Sequence, residues 1–369
     1  MNITTGANQL TYCLEIVEKA LPVRSTIPVI NNILLEIKEN ELIFSATNLE
    51  MFVMVKMDYQ GEESGRILLP PKIVEIIRHF PTDEVNININ WDSYRIDISG
   101  GSAYFHLFGS NPEDYPLSFE DQVNDQEGLV IEKGKFKNML KSVVFAASNE
   151  ETRPAFNGIF FFFNNDRISL TASDTYRLAI KEARDDNWSF EENKCLVPAR
   201  AMRELLRILS DSSGNMLLLN QKNMIAFRFD QILFASRLLE EKYPDVSGVI
   251  PVEYKTRVVV DRKMLEEIIN RAALLAEGKN QAVNIIVKNH HLEARVSAQE
   301  GSMEESIPVE QEGEDIDLFV NSRFILDILK IIEDQKVMID FHGEGGPIIF
   351  RLVDNPGYLY LVLPIKKVN

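Results

Sequence analysis

Hydrophobic and polar residues follow a β-strand pattern on both sides of a turn signal in the middle of the chain. Four consecutive phenylalanines, Phe160–Phe163, end at Asn164–Asp166, and the chain resumes with Ile168, Leu170 and Ala172 alternating with polar residues. This pattern predicts a β-hairpin. The continuous aromatic run predicts burial on both faces of its strand, whereas the alternating return strand predicts burial on one face.

The hairpin pattern occurs three times along the chain. Its landmarks are the isoleucines Ile33, Ile159 and Ile285 and the hydroxyl residues Ser45, Thr171 and Ser297. Within each set, consecutive members are 126 residues apart. A helical segment before each hairpin, another after it and a further strand pair also recur. We therefore predict three tandem domains, at residues 1–120, 128–250 and 252–369.

Six segments place apolar residues at every third or fourth position, which is the period of an amphipathic α-helix. Their apolar faces are Leu10, Leu14, Val17 and Leu21; Ile73, Ile76, Ile77 and Phe80; Phe136, Met139, Leu140, Val143 and Ala147; Met202, Leu205, Leu206 and Leu209; Leu265, Ile268, Ile269 and Ala272; and Ile325, Ile328, Leu329 and Ile332. With the hairpins, they predict an α+β fold in which two helices pack on antiparallel sheets in each domain.

Composition and linkers indicate a globular protein of several domains. The chain of 369 residues is 45% hydrophobic and 26% charged, and no uncharged apolar run approaches the roughly 18 residues of a membrane helix. We expect a cytosolic protein with reduced, core-packed thiols, because Cys13 and Cys195 lack C-x-x-C spacing. The linkers at Glu120–Gly128 and near Pro251–Glu253 are too short and too poor in glycine for free motion. We therefore expect a stiff arc of three domains.

The net charge of −17 argues at first against nucleic acid, but the charge is unevenly distributed. The six helical segments, at 10–24, 72–80, 133–149, 199–210, 262–279 and 322–332, hold 17 basic and 8 acidic residues, a net charge of +9. The rest of the chain has a net charge of −26. Helices favour glutamate about as well as lysine, so propensity does not explain this excess. The helices therefore predict a segregated basic face.

Basic residues recur at helical spacing on this predicted face. The stripes are Lys133, Lys137 and Lys141, then Arg200, Arg203 and Arg207, then Arg323 and Lys330. A basic concavity in an acidic protein suits a polyanion. The chain has no helix-turn-helix, zinc-finger or RNA-recognition signature, so we expect salt-sensitive contact with phosphates, indifferent to base sequence. The candidate DNA-binding residues on the helical segments are Lys137, Lys141, Arg200, Arg203, Arg207 and Lys279.

Helix dimensions predict the number of chains needed to surround DNA. Six helices, each about 10 Å wide, placed side by side make a ring about 19 Å across at their axes, with about 9 Å free. A DNA duplex is roughly 20 Å wide and does not pass through such a ring. Twelve helices leave about 28 Å. We therefore expect a head-to-tail homodimer that also covers open sheet edges.

Several motifs resemble one protein family over the whole chain. They are Arg24–Val29, Thr47–Met51, Asn157-Gly158, Thr171–Leu178, Tyr243–Asp245, Arg271–Ala273 and Tyr360–Ile365. Together with the threefold repeat, they resemble the bacterial DNA polymerase III beta subunit, the sliding clamp. The resemblance implies a non-catalytic processivity factor that encircles duplex DNA without cofactor or metal, is opened by an ATP-driven clamp loader, and works at the bacterial nucleoid.

The resemblance also implies a cleft for short hydrophobic peptides of polymerases and other replication or repair factors. Carried over by motif, it consists of Phe156, Ser173, Thr175, Tyr176, Arg177, Leu178, Pro244, Val249, Phe324, Leu361, Val362, Leu363, Pro364 and Ile365. An apolar groove with a few polar groups suits a linear motif with leucine and phenylalanine anchors. The alternative for the chain end is a buried strand stopped by Pro364.

The family further implies a DNA contact at Arg24 and a dimer interface between the first and third domains. The interface residues are Ser102, Tyr104 and Phe105 on one side and Glu300, Glu304 and Glu305 on the other. Some members have arginine where Ser102 and Tyr104 stand, so we expect Lys72 and Arg78 to meet the glutamates. Other departures are Ser25 for proline, Thr175 for glycine and Lys366 for arginine. These changes predict a less rigid Arg24 loop and an altered peptide preference.

Enzyme motifs are weak by comparison. The pair His290-His291 lacks the H-E-x-x-H spacing of zinc proteases, and Gly343–Gly346 lacks the lysine of a phosphate-binding loop. Both are typical of turns. Asp174 with nearby carboxylates suggests a metal-dependent nuclease or other DNA-processing enzyme as the alternative function. A single aspartate at a hairpin end is far more often a turn residue.

Overall fold

The computed structural model describes residues 1–61, 63–116, 128–150, 152–209, 213–278, 280–352 and 357–366. Two sequence predictions lie outside these ranges: the linker Glu120–Gly128, except its last residue, and the DNA contact Lys279. Within the ranges, no helix has the length and apolar character of a membrane span.

The described residues contain all six predicted α-helices. They are α1 Ala7–Glu18, α2 Lys72–Arg78, α3 Lys133–Val144, α4 Ala199–Ile208, α5 Arg262–Ala273 and α6 Ser322–Leu329. Asp261 and Asn321, the residues immediately before α5 and α6, cap these helices by accepting a hydrogen bond from a backbone N–H of the first turn. The predicted apolar faces are buried, except that Leu21, Ile76, Phe80 and Leu206 are half-buried.

The strands fall into three groups along the chain. The first group is β1 Asn2–Gly6, β2 Ile33–Lys38, β3 Glu41–Thr47, β4 Met51–Asp58, β5 Gly65–Leu69, β6 Glu84–Asn90, β7 Arg95–Gly100 and β8 Ala103–Phe108. The second is β9 Leu129–Glu132, β10 Gly158–Asn165, β11 Arg167–Ser173, β12 Arg177–Arg184, β13 Phe190–Pro198, β14 Asn215–Gln221, β15 Met224–Phe229 and β16 Ile232–Arg237. The third is β17 Thr256–Asp261, β18 Ala282–Lys288, β19 His291–Ala298, β20 Gly301–Pro308, β21 Glu310–Gly313, β22 Ile316–Asn321, β23 Lys336–Phe341, β24 Ile348–Leu352 and β25 Tyr358–Val362.

These elements form two compact units. The first unit, residues 1–136 and 203–238, holds the antiparallel sheets β1-β6-β7-β8 and β5-β2-β3-β4-β16-β15-β14-β9. The second unit, residues 137–202 and 239–369, holds β13-β10-β11-β12-β25-β24-β23-β17-β21 and β20-β19-β18-β22. The chain crosses between the units within α3 and α4, so the predicted second domain is divided between them. The predicted domain boundaries stay predictions.

The predicted hairpins are present, but the third differs in register. Ser45 and Thr171 pair with residues of the preceding strand, as the repeat predicts. Ser297 instead pairs with Ser302 of the following strand. The reason is that the third hairpin turns at residues 289–290, two positions earlier in the repeat, where both residues have positive φ.

Burial in the central hairpin corrects one sequence prediction. In β10, alternate phenylalanines such as Phe161 are fully buried, while Phe160 is half-buried and stacks on Tyr243 with ring centroids 5.2 Å apart. The return strand β11 was predicted to bury one face, but Ser169 and Thr171 on its other face are buried too. That prediction was wrong because β11 lies between β10 and β12, whose larger side chains cover its small polar ones.

Both cysteines are buried free thiols, as predicted. Burial raises the pKa of Cys13 to about 11 and that of Cys195 to about 12.

We expect the native protein not to react with a thiol reagent such as Ellman's reagent at pH 8, because the thiolate is the reactive form. In guanidinium, we expect both thiols to react. Since the unfolded thiols ionise nearer pH 9.0, their contribution to stability is complete below that pH and declines as the pH rises above it. Rapid labelling of the native chain would contradict this burial.

Candidate functional site

A tight turn between β11 and β12 begins the candidate site. The Ser173 hydroxyl accepts a hydrogen bond from Thr175 N (3.1 Å) and donates one to Arg177 O (2.7 Å). One carboxylate oxygen of Asp174 accepts from the backbone N–H groups of Tyr176 and Arg177, both at 3.0 Å. The turn is therefore fixed by its own side chains, and it leaves Tyr176 59% exposed.

The turn between β3 and β4 has the same structure. Thr47 accepts from Leu49 N (3.0 Å) and donates to Met51 O (2.8 Å), while the Asn48 side chain accepts from Glu50 N and Met51 N. The middle residue of each turn has a positive φ, 75° in this turn and 77° at Thr175. The two turns, at equivalent positions of the repeat, therefore have the same backbone conformation.

Thr175 adopts its positive φ at a cost. A left-handed conformation costs a residue other than glycine roughly 1–2 kcal/mol, and β-branched residues tolerate it least. The Thr175 hydroxyl accepts a hydrogen bond from Arg153 Nη1 at 3.0 Å. This left-handed conformation explains why glycine suits the position. Threonine here is one of the departures from the resembled family.

An apolar strip lies on one face of the nine-stranded sheet, beside this turn. Its buried centre is Leu178, Leu361 and Ile349, which pair across β12, β25 and β24, and partly buried residues pack around it. The surrounding residues are Ile180, Leu359, Val246 and Ile250. We call these seven residues the apolar strip. All belong to the second compact unit.

Exposed apolar residues border the strip. Leu363 N donates to Tyr176 O at 2.9 Å, which holds the exposed Leu363 side chain beside the turn. Val249 is also exposed and lies in the short 3-10 helix between Val246 and Ile250. Sequence reasoning named Leu178, Leu361, Leu363 and Val249 but missed the other five members of the strip. Two of these five, Ile180 and Leu359, could have been identified from the sequence. Each stands two residues from a named member, Leu178 or Leu361, and alternate residues of a strand share a face.

Register corrects three predicted cleft residues. Arg177 pairs with Val362 and Leu178 pairs with Leu361. Paired residues share a face and successive residues alternate, so Arg177 and Val362 point away from the strip. Phe324 lies on that opposite side too, where its ring packs under the Arg177 guanidinium at 4.6 Å. These residues support the strip from behind and do not line it.

The other predicted cleft residues lie around the strip or at the chain end. Phe156 packs edge-on against Tyr243, with ring centroids 5.9 Å apart, and the following Pro244 is exposed. Tyr243 also stacks on Phe160. Phe160 lies on the same sheet face as Ile180, because these two residues belong to one row of paired residues across β10, β11 and β12. At the chain end, half-buried Pro364 precedes Ile365, whose N–H donates to Phe319 O at 2.7 Å.

Arg177 is a buried cation that joins three elements behind the strip. Its side chain is 8% exposed and donates to Asp174 (2.9 Å), to Asp327 of α6 (2.6 Å) and to the carbonyl of Phe145 after α3 (2.8 Å). Two carboxylates and one carbonyl thus compensate the burial of one guanidinium. The arrangement ties the turn to the ends of two helices.

The predicted basic residues differ in their exposure and pairing. On α3, Lys141 is exposed and Lys137 is half-buried. Lys133 was expected in the same stripe, but it is buried and bonds both carboxylate oxygens of Asp230, at 3.1 and 2.9 Å. Lys133 therefore stabilises the first unit and is not part of an exposed stripe.

The remaining basic candidates lie on α4 and in the loop after α1. Arg200 is exposed, Arg203 is half-buried, and exposed Arg207 pairs with Glu204 at 2.7 Å. Arg24 is exposed in the loop after α1. Three of these four residues therefore present a cation to solvent.

Two sheet edges carry the predicted interface residues. Strand β8 is an edge of the first unit, where Tyr104, Phe105 and Phe108 are exposed. Ser102 is exposed in the turn before it. Strand β20 is an edge of the second unit, and Glu300 is exposed in the turn before it.

Several charged residues of the predicted interface have partners within the chain. Glu305 accepts two hydrogen bonds from the Arg271 guanidinium, at 2.7 and 2.6 Å. Lys72 was expected to meet the interface glutamates, but it pairs with Glu75. Arg78, expected in the same role, pairs with Glu15 at 2.6 Å. Both pairs are exposed and lie within one chain, so the expectation that Lys72 and Arg78 meet the glutamates of a second copy stays a prediction.

Comparison with known proteins decides the family. Three domain models of the DNA polymerase III beta subunit match in order: the N-terminal domain at residues 1–119, the central domain at 130–245 and the C-terminal domain at 247–366. The chain belongs to this family. It is 31% identical to the beta sliding clamp of Staphylococcus epidermidis, over 97% of this chain and 96% of that one. The DNA polymerase sliding clamp from Bacillus subtilis has the same fold, with a TM-score of 0.93 and 27% identity over the whole of both chains.

Membership of the beta subunit family confirms the resemblance inferred from the motifs, together with the α+β fold of three clamp domains. The alternative of a metal-dependent nuclease has no support among these relatives. In this beta subunit Asp174 is a turn residue: one of its oxygens accepts two backbone N–H groups and the other accepts from Arg177.

Replacing Arg177 tests the buried cation of this beta subunit. We expect Arg177→Ala to lower the free energy of unfolding by about 3–5 kcal/mol, because it leaves two partly buried carboxylates uncompensated. The control is Arg184→Ala, which removes an exposed guanidinium 3.8 Å from Asp166 and leaves stability nearly unchanged. Urea unfolding followed by circular dichroism measures both. Equal effects of the two substitutions would contradict the assignment.

Proposed function

We propose that this chain is a sliding clamp: two copies close head to tail into a ring around duplex DNA and tether the replicative polymerase, without catalysing a reaction. The observation that carries the proposal is the consecutive match of all three beta-subunit domains, which together span residues 1–366. The proposed place of action is the bacterial cytoplasm, on the chromosome.

Open strand edges support ring closure. An edge strand with exposed aromatic side chains is a surface prone to pairing with another chain. Strands β8 and β20 are edges of different sheets. Pairing β8 of one copy with β20 of the other is a heterologous contact, and two such contacts close a ring.

The proposed DNA contacts are the exposed and half-buried cations of α3, α4 and the loop after α1. They are Arg24, Lys137, Lys141, Arg200, Arg203 and Arg207. Helix α3 carries four lysines and no acidic residue. Cations on flexible side chains attract phosphates and read no bases, which suits a protein that slides.

The proposed partner site is the apolar strip with Tyr176, Leu363 and Val249. Exposed apolar side chains beside a buried apolar centre fit the leucine and phenylalanine anchors of a short peptide. The polymerase and the clamp loader are the proposed sources of such peptides. The backbone groups of the adjacent turn are already bonded to Ser173 and Asp174, so the turn offers a preformed border.

Enclosure of DNA is tested on circles. We expect the clamp, loaded on a nicked plasmid by a clamp loader, to co-elute with the DNA in gel filtration and to be released when a restriction enzyme linearises it. A ring has no end to slide from on a closed circle. Equal retention on circular and linear DNA would exclude enclosure.

Charge reversal adds a matched comparison to this assay. Combined replacement of Lys137, Lys141 and Arg203 by glutamate is expected to reduce loading, whereas the same change at Lys38, Lys222 and Lys288 is not. The control lysines are exposed: Lys38 and Lys288 end β2 and β18, and Lys222 lies in the turn after β14. Equal loss with both sets would show an effect of net charge alone.

The partner site is tested with a fluorescent peptide carrying the anchor residues. We expect Leu363→Glu to weaken its binding at least about tenfold, because a charge at the strip opposes burial of an apolar anchor. Fluorescence anisotropy measures the affinity. The control is Val130→Glu, which places the same charge at an exposed valine of β9. A point substitution is needed because Leu361 and Val362 belong to β25, inside the sheet. Unchanged affinity in Leu363→Glu would exclude the strip.

A further inference from the structure

A cavity of about 130 Å³ lies within the second unit, lined by residues of α3, β12 and β25 and of the segment after α6. Since roughly 10–15 Å³ is enough to hold one water, this cavity has room for a molecule of several heavy atoms. Asn138 and Glu333 line it and are exposed. The cavity therefore opens to solvent.

Lys181 brings a primary amine to this cavity. It lies four residues after Arg177 in β12, so its side chain points to the same side of the sheet, opposite the apolar strip. Lys181 lines the cavity and is only 8% exposed. Its Nζ lies 5.9 Å from the ring centroid of Tyr358, and the Tyr358 hydroxyl donates to Ser142 O of α3 at 3.0 Å. The amine is therefore nearly buried, but it borders a space that a small molecule can enter.

The surroundings of Lys181 favour its neutral form. Burial lowers the pKa of Lys181, and the charge of Asp334 opposes this shift only in part. Among the described residues, the other charged groups that line the cavity are Glu333 and Lys141 of α3, both exposed. The neutral amine is the nucleophilic form of lysine, and removal from water is one way to populate it. At neutral pH, Lys181 therefore has a larger share of nucleophilic amine than an exposed lysine.

A second buried lysine provides an internal comparison. Lys133 is 6% exposed, and its ammonium bonds both carboxylate oxygens of Asp230. These charge-assisted hydrogen bonds hold the Lys133 ammonium in place. Lys133 does not line the cavity. The two lysines are thus equally buried but differ in what their amines can meet.

We propose that Lys181 is a site of N-acylation by small acyl phosphates, which enter the cavity and are held by the exposed ammonium of Lys141. A cation at the entrance suits the phosphate of such a donor, since ammonium groups form strong charge-assisted hydrogen bonds with phosphate oxygens. This site does not depend on the proposed ring.

The reaction requires only the amine and the donor. The lone pair of the neutral Nζ attacks the acyl carbon, and a C–N bond forms. The bond between the acyl carbon and the phosphate oxygen breaks, and the phosphate leaves with that electron pair and takes up the proton that the nitrogen loses. The product is a neutral amide, which costs less to bury than an ammonium.

Labelling of the native chain tests the site. The full chain is incubated with acetyl phosphate at pH 7.5, and peptide mass spectrometry gives the acetylation rate of each lysine. We expect Lys181 to react about threefold faster or more than the exposed lysines Lys38, Lys222 and Lys288, because a larger share of its amine is neutral. Any smaller difference would overturn the proposal. Equal rates at Lys181 and Lys133 would also overturn it, because burial without the cavity would then suffice.

Replacing Lys141 tests how the donor is held. We expect Lys141→Ala to slow acetylation of Lys181 by acetyl phosphate about threefold or more, but to leave acetylation by a neutral ester, N-hydroxysuccinimidyl acetate, within about twofold. The matched control is Lys137→Ala, which removes a lysine one turn earlier on α3 that does not line the cavity and should leave both rates unchanged. Circular dichroism checks that each variant is folded. Equal effects of Lys141→Ala on both reagents would overturn the assigned role of Lys141, and the rates in the unchanged chain decide the role of Lys181 even if a variant does not fold.

Discussion

The antiparallel pairing of β12 with β25 is the interaction on which the candidate partner site depends. It joins a strand of the central-domain match to the last strand of the C-terminal match. Its register determines both faces of the sheet together: Leu178 and Leu361 on the strip, Arg177 and Val362 on the helix side. A shift of one residue would exchange the two faces. The apolar strip and the buried cation are therefore two consequences of one register.

The fold was largely predictable because its main signals are local. Six helices follow from 3.6-residue periodicity, and the central hairpin follows from the turn residues at 164–166. The third hairpin shows the limit of a repeat argument. Ser297 keeps the sequence spacing but not the pairing, since the turn moved by two residues. Spacing counts residues along the chain, whereas register depends on where the chain reverses.

The site was only partly predictable because it depends on contacts between distant residues. Motif resemblance located the strip through Leu178 and Leu361, but it also assigned Arg177 to the same surface. Alternation along β12 places that arginine on the other side. Pairing of charges is harder to infer: Lys133 meets a carboxylate 97 residues away, and Arg78 meets one 63 residues away. No periodicity along the chain encodes such partners.

The two equivalent turns suggest how copies of one unit acquire different roles. Thr47–Met51 and Ser173–Arg177 share their hydrogen bonds and their positive φ, so the first two side chains of each turn encode the backbone. The fifth position is then free to diverge after duplication. It is methionine in one copy and arginine in the other, and the arginine bonds Asp327 of α6. Specialisation of these copies thus proceeds through side chains while the inherited backbone stays constant.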